Sequence, residues 1–199
     1  YNRNVLVAVL LLGAFMAVLN QTLLLTATPH IMVEFQLTEN TAQWVTTIFM
    51  LINGIMIPIS AFLMESFTSR RLYLISMVIF IIGTLISAIS INFSMLMVGR
   101  IVQAIGAGVI FPLMMTIFML IFPIQRRGFA MGIAGLVISF APALGPALSG
   151  WMIEFLPWRA VFYVIIPIAI IDLLAAYFFM RNIIPLKYPK VDVLSIILS

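Results

Sequence analysis

The chain has 199 residues, of which 64% are hydrophobic and 8% charged; a soluble domain carries roughly 45–50% apolar and 25% charged residues. A core of this size cannot hide that much apolar side chain, so lipid must take the remainder. Cysteine is absent and His30 is the one histidine, which excludes disulfides, thiolate metal sites and any multi-histidine metal cluster.

Six apolar segments are long enough to cross a hydrocarbon core of about 30 Å as helices. In chain order they are Val5–Thr28, Thr41–Met64, Leu72–Ile91, Met95–Phe122, Phe129–Leu156 and Val161–Met180. The fourth and fifth are long enough to tilt or kink. The first is too long for a signal peptide and lacks the small-residue cleavage site of one. A seventh run, Val191–Ser199, stops too soon to span, so the chain is expected to end just inside another helix. Because it starts at Tyr1 rather than Met, a few leading residues are expected to precede it. The division expected is a six-span bundle over residues 1–182, then a cytoplasmic link and the start of the next helix over 183–199.

The net charge of +4 comes from short basic clusters between apolar runs, the pattern of cytoplasmic loops rather than of a nucleic-acid surface. With the amino terminus inside, the inner set holds Arg3, Arg70, Arg71, Arg126, Arg127, Arg181, Lys187 and Lys190, against Arg159 alone outside. That bias orients the chain. His30, Glu34 and Glu39 then fall in the first outer loop, and Trp44, Trp151 and Trp158 near the outer headgroup level. The halves show no clear residue-level repeat.

The first span carries a polar patch, Asn20-Gln21-Thr22, and the second a mid-span Asn53. Amides at such depth either bond between helices or face a substrate. The turn after the second span runs Glu65-Ser-Phe-Thr-Ser-Arg70-Arg71; its acid and basic pair either form state-locking ion pairs or make a solvated loop. Arg100 lies within the fourth span, with Gln103 on the same face. A cation there is costly, so it either snorkels to the outer interface or serves a central cavity.

The fifth span reads Ala141-Pro-Ala-Leu-Gly-Pro-Ala-Leu-Ser-Gly150. Pro142 and Pro146 each remove a helical hydrogen bond and favour a bend. Ala141, Gly145 and Ser149 form a small-residue stripe that lets another helix come close, as passive packing or as a pivot. Asp172 sits mid-way along the sixth span between Ala169 and Ala176, as a proton-carrying group or as a hydrogen bond between helices. Fourteen methionines and sixteen phenylalanines suit a plastic, greasy cavity, and equally a lipid-facing surface.

Four of these stretches, in this order, resemble the major facilitator superfamily. They are most similar to its fourteen-span drug:proton antiporters of the EmrB/QacA type, and within them to the Gram-positive branch associated with lincomycin resistance. The resemblance covers the whole chain. Leu19 to Ile31 resembles the first-span motif, with Asn20 where the family often has an acid and Leu25 where it often has Asn. Glu65 to Arg71 resembles the loop motif, with Glu65 for the usual Asp and Thr68 for the usual Gly. Arg100, Gln103, Gly106 and Gly108 fit the fourth-span motif, whose Arg is linked with proton coupling. Ala141 to Gly150 fits the antiporter motif of the fifth span, with Ala141 in place of Gly.

The resemblance implies an alternating-access carrier that exports amphipathic or cationic drugs in exchange for protons. Arg100 and Asp172 would serve proton coupling. Asn20, Gln21, Asn53 and Gln103 would line the substrate cavity. Glu65, Arg70, Arg71, Gly145, Pro146 and Gly150 would serve the conformational switch. The expected partners are the substrate, the bilayer and a missing carboxyl-terminal half; no cofactor is expected beyond the proton as coupling ion. An importer of the same superfamily is the nearest alternative. A membrane enzyme would need paired acids, a His–acid metal set or a Ser–Lys or Ser–His pair, and none is evident. A structural or receptor module would not need Arg100 and Asp172 buried.

Overall fold

A computed structural model describes residues 3–183. They form six α-helices: α1 (Arg3–Phe35), α2 (Glu39–Ser66), α3 (Ser69–Ala88), α4 (Phe93–Ile121), α5 (Ile124–Phe155) and α6 (Ala160–Phe179). Each is long and apolar enough to cross a membrane. The six expected spans are therefore the six helices, and the protein is an all-α, multi-pass membrane protein. Lys187, Lys190, the rest of the link from Ile184 and the Val191–Ser199 run lie outside the described residues.

Local chemistry sets the helix ends. Thr38, Thr68 and Asn92 sit in extended backbone, and their side-chain oxygens accept from the N–H of Thr41, Arg71 and Met95, starting α2, α3 and α4. The end of α1 differs from expectation. The helix runs through Pro29 to Phe35 and stops where Gln36 adopts a positive φ of 53°. Leu37 N–H then donates to Met32 O at 2.9 Å, closing a left-handed cap. A proline removes only one donor, and Leu25, whose carbonyl it leaves open, is half exposed. His30 and Glu34 thus belong to the last turns of α1, Glu39 opens α2, and the connection shrinks to Gln36–Thr38. Likewise α5 begins at Ile124, ahead of the expected Phe129, and stays helical through Pro142 and Pro146.

Packing does not follow chain order. The closest association is α3 with α4; α2 lies on α4, α5 on α1, and α6 on α3 and α1. Neighbours in sequence such as α1 and α2, or α5 and α6, touch little. α1 holds α5 as α4 holds α2, a pairing that two three-helix repeats would give, but α3 packs on α4 far more closely than α6 does on α1. Small residues bring α3 and α4 together. A Cβ on Gly83 would fall on the Gln103 backbone, and one on Gly106 on Ser76 O and Phe80 N.

Burial is unequal. α1, α3 and α4 are largely enclosed, whereas α2 and α5 bury narrow stripes, Ala42, Val45, Phe49, Met56 and Ser60 on one, Ala130, Ala134, Ala141, Gly145, Ser149 and Met152 on the other. The remaining faces of α2 and α5 are apolar and open. Trp44 and Trp151 are exposed as expected of interfacial tryptophans, but Trp158 is buried. Its indole N–H donates to Glu34 Oε2 at 2.5 Å and its ring packs edge-on against Phe35 and Phe162. An indole with a carboxylate partner is better placed inside the bundle than at the headgroups.

Candidate functional site: two buried polar clusters and a cavity

Arg100 is completely enclosed. Its Nη1 donates to Asn20 Oδ1 at 2.7 Å and to Gln103 Oε1 at 2.6 Å, and its Nε to Val45 O at 3.3 Å. The guanidinium lies over the Phe49 ring, 4.1 Å from its centroid. Gln103 Nε2 in turn donates to Thr84 Oγ1 at 2.7 Å, whose hydroxyl donates to Phe80 O. The cluster therefore ties α4 to α1, α2 and α3. It is not a snorkelling arginine: partners on three other helices draw the head inward, and nothing of it reaches an interface. Every acceptor it meets is neutral, and Nη2 has none. A guanidinium keeps its proton, so the bundle encloses a positive charge without a carboxylate beside it.

Asp172 forms a separate cluster. Its Oδ2 lies 2.6 Å from Tyr73 Oη, which is also 3.0 Å from Val9 O. Asp172 and Tyr73 are both fully buried, and Oδ1 has no partner. Gly13 makes the space: a Cβ there would collide with the Tyr73 hydroxyl. Ala169 and Ala176 are buried on the same face of α6, as the spacing predicts. The structure does not bring Arg100 and Asp172 into contact. Gly13 and Asn20, the α1 residues against them, are seven positions apart, about 10 Å along the helix.

The fifth-helix stripe is seated on the same α1. Ser149 Oγ donates to Leu23 O at 2.8 Å, and Thr22 Oγ1 reaches Ala141 O at 3.3 Å. A Cβ on Gly145 would overlap the Thr22 side chain. Ala141, Gly145 and Ser149 are all buried, so the close approach read from their spacing is present. Pro146 and Gly150 lie on the opposite, open face, and nothing stands within 4 Å of a Cβ built on Gly150. The two glycines of one motif thus have different surroundings.

The turn between α2 and α3 forms no local ion pair. Neither Arg70 nor Arg71 pairs with Glu65; among the described residues the ion pair is Glu34–Arg159, at 2.7 Å. Arg70 Nη2 instead donates to Tyr177 O at 2.5 Å, with the guanidinium over the Tyr177 ring. The carbonyls of the last α6 turn have no helical partner and sit at the negative end of the helix dipole, so a cation is better placed there. Arg127 does the same for Phe122 O at the end of α4.

A cavity of about 200 Å³ opens between α1, α2 and α4, lined by Gln21, Phe49, Asn53, Gly108, Phe111 and Pro112 among others. Of the four residues assigned to a substrate cavity from sequence, Gln21 and Asn53 line it. Asn20 and Gln103 do not; both are fully buried as acceptors of Arg100. The guanidinium has more need of their oxygens than a solvated cavity has. Tyr73, Thr84 and Phe49 were not picked out from sequence. Tyr73 falls in the second turn of α3, just after Arg70 and Arg71, where a tyrosine is ordinary at a membrane interface.

Comparison with known proteins agrees with this architecture. Among curated proteins, an uncharacterised MFS-type transporter of Bacillus subtilis, YcnB, is 57% identical over the whole of this chain and 42% of its own length. The lincomycin resistance protein LmrB of the same organism is 43% identical over 96% of this chain and 40% of its own length. The chain thus spans about two fifths of the curated relatives it matches. The crystal structure of the human organic anion transporter MFSD10 superposes on 94% of the chain and 49% of its own, with a TM-score of 0.78 at 19% identity, a likeness of fold. The family model of the Major Facilitator Superfamily matches residues 10–193, and with its six packed membrane helices the chain belongs to that superfamily.

Proposed function

We propose that the chain is the amino-terminal bundle of a proton-driven exporter of amphipathic compounds, working by alternating access against a second bundle in the bacterial plasma membrane, with its amino terminus in the cytoplasm. The observation that carries this reading is the seating of the fifth-helix motif on α1, with Gly145 against Thr22 and Ser149 on Leu23 O. That contact joins the antiporter motif directly to the helix that also holds the Arg100 and Asp172 clusters. Similarity to a lincomycin resistance protein supports a drug-export reading.

The proposal assigns a role to each residue. Gln21 and Asn53 face the substrate. Arg100, held by Asn20 and Gln103, and Asp172, held by Tyr73, serve proton coupling. Gly145 is the contact that must persist or slide as the bundles rock, while Pro146 and Gly150 face the second bundle. Arg70 and Arg71 act at the inner end, Arg70 by holding the end of α6, and Glu65 stands free to meet the second bundle. One proton crossing 100 mV supplies about 2.3 kcal/mol, a concentration ratio of roughly 50 at one-to-one electrogenic exchange.

The test is made with the full carrier in inverted vesicles under an imposed pH gradient. Uptake of an amphipathic dye that collapses with a protonophore is the expected result. Transport indifferent to the gradient would remove the proton from the mechanism, and accumulation only in right-side-out vesicles would make the protein an importer.

A further inference from the structure

We infer that Tyr73 is a positioning residue for proton coupling: its hydroxyl turns between Asp172 Oδ2 and Val9 O as Asp172 loses or gains a proton, and so ties or frees α1. The inference rests on the reading of Asp172 as a coupling group, and supplies the step by which its proton is felt on another helix.

One phenol faces two oxygens. Tyr73 Oη stands 2.6 Å from Asp172 Oδ2 and 3.0 Å from Val9 O, both hydrogen-bond distances, yet it has a single proton to donate. Val9 O is a backbone carbonyl and only accepts. With Asp172 ionised, both oxygens would be acceptors, and one of the two contacts would set lone pair against lone pair. With a proton on Asp172 Oδ2 both contacts are bonds: Oδ2–H donates to Tyr73 Oη, and Tyr73 Oη–H donates to Val9 O. The other carboxyl oxygen agrees. Oδ1 is buried with no partner, a position far less costly for the carbonyl of a neutral acid than for half of an anion. The enclosed arrangement is therefore the proton-loaded one.

On release the carboxyl proton leaves Oδ2 for water. Tyrosine keeps its own proton, which turns from Val9 O to Oδ2. The link between α3 and α6 persists with its direction reversed, and the link between α3 and α1 is lost. Val9 O retains the Gly13 N–H of its helical ladder, so α1 loosens from α3 without a broken turn. Gly13 is what lets the three helices meet so closely: a Cβ there would collide with Tyr73 Oη and stand 3.3 Å from Asp172 Oδ2.

Among the described residues, the other ionisable groups on the helices around Asp172 are engaged or remote. α6 packs on α3 and α1 and touches α5. On α3, Arg70 is committed to Tyr177 O, five residues beyond Asp172, and Arg71 is exposed. On α1, Arg3 lies over Phe122, while His30 and Glu34 are at the outer end. On α5, Arg126 and Arg127 are in the first turn and Glu154 in the last. On α6 itself, Tyr163 reaches Ala88 O and Tyr177 is exposed. Tyr73 is left as the partner that senses the carboxyl.

The experiment is infrared difference spectroscopy on the full carrier in lipid nanodiscs as pH is stepped, with gradient-driven transport in inverted vesicles as the second readout. The expected result is a protonated-carboxyl band, absent from Asp172→Asn, that disappears as pH rises, and a tyrosine C–O band that changes at the same pH. Tyr73→Phe should move the carboxyl band to the frequency of a more weakly bonded acid. It should also displace the acid limb of the transport profile by about one pH unit upward, since a bond to the ionised form is worth more than one to the neutral form. Gly13→Ala, which keeps the hydroxyl but crowds it, should displace the profile too. A carboxyl band that disappears with no change at tyrosine, or a wild-type profile in Tyr73→Phe, overturns the inference and makes Tyr73 a packing residue; the exporter reading then stands on its own response to the gradient. A carrier indifferent to the gradient defeats the coupling role of Asp172 and Tyr73 together, whatever the bands show. Because the paired bands are read on the unsubstituted protein, poor folding of a Tyr73 or Gly13 variant does not obscure the outcome.

Discussion

Arg100 and Asp172 are both buried, yet their surroundings make opposite demands on a substitution. The guanidinium uses a planar fork to reach Asn20, Gln103 and the Val45 carbonyl at once. A lysine ammonium at the end of a flexible stem cannot span the same set. Arg100→Lys is therefore expected to leave at least one of the amides unpaired and to lower the unfolding temperature as well as gradient-driven transport; wild-type values of both would show that charge alone matters. At Asp172 the volume and one oxygen contact survive a change to asparagine. In the full carrier Asp172→Asn is expected to bind substrate normally and to lose gradient-driven transport, whereas an unchanged pH dependence would make the carboxylate structural. Tyr73→Phe separates the two roles from the other side. It strips the carboxylate of the partner at Oδ2, a loss of about 1–3 kcal/mol for a buried group, visible as earlier thermal unfolding.

At the scale of helices, α1 is the common surface. Within 15 residues it presents Val9 and Gly13 to Tyr73, Asn20 to Arg100, and Thr22 and Leu23 to α5. Gly145→Leu would drive a branched side chain into Thr22, separating α1 from α5. Loss of export with membrane insertion retained is the expected outcome, and normal efflux by a well-expressed variant would defeat it. Gly150→Leu meets no atom of this bundle, so a loss of export there would report contact with the second bundle rather than with α1. The spacing of Ala141, Gly145 and Ser149 made this contact legible before any coordinates. What it could not name was the partner, since a stripe of small residues says that something comes close without saying what. The same holds for Arg100: its cost in lipid marked it from one sequence, but Val45 contributes a carbonyl, and a carbonyl leaves no trace in residue type. At the turn after α2, charges adjacent in sequence leave a local ion pair and a solvated loop both open, and the end of α6, more than a hundred residues on, takes Arg70.

For the whole molecule, length and hydropathy sufficed to count the spans, because a bilayer admits few alternatives to a helix of about 20 apolar residues. The packing order was not legible. It depends on which faces meet, and in α1, α5 and α6 nearly every face is apolar, so periodicity carries little information. Orientation rests on the distribution of basic residues. Single cysteines check it: with any cysteine elsewhere in the carrier replaced, Gln125→Cys should react only with reagents that reach the cytoplasm, and Asn40→Cys with those outside. Both positions are exposed, and reversed labelling would invert the assignment.

The order in which the buried polar groups find one another has a consequence for biogenesis. Arg100 depends on Asn20, Val45 and, through Gln103, Thr84; Asp172 depends on Tyr73; Ser149 depends on Leu23. In each case the partner on another helix lies earlier in the chain. A ribosome feeding this protein into a membrane therefore delivers these three groups after their partners have already been made. The fourth helix need not enter lipid as an isolated arginine-bearing segment, since the first three can wait beside the insertion channel to receive it. Reversing that order, for instance by circular permutation that places α4 first, would expose Arg100 to lipid with no partner on another helix.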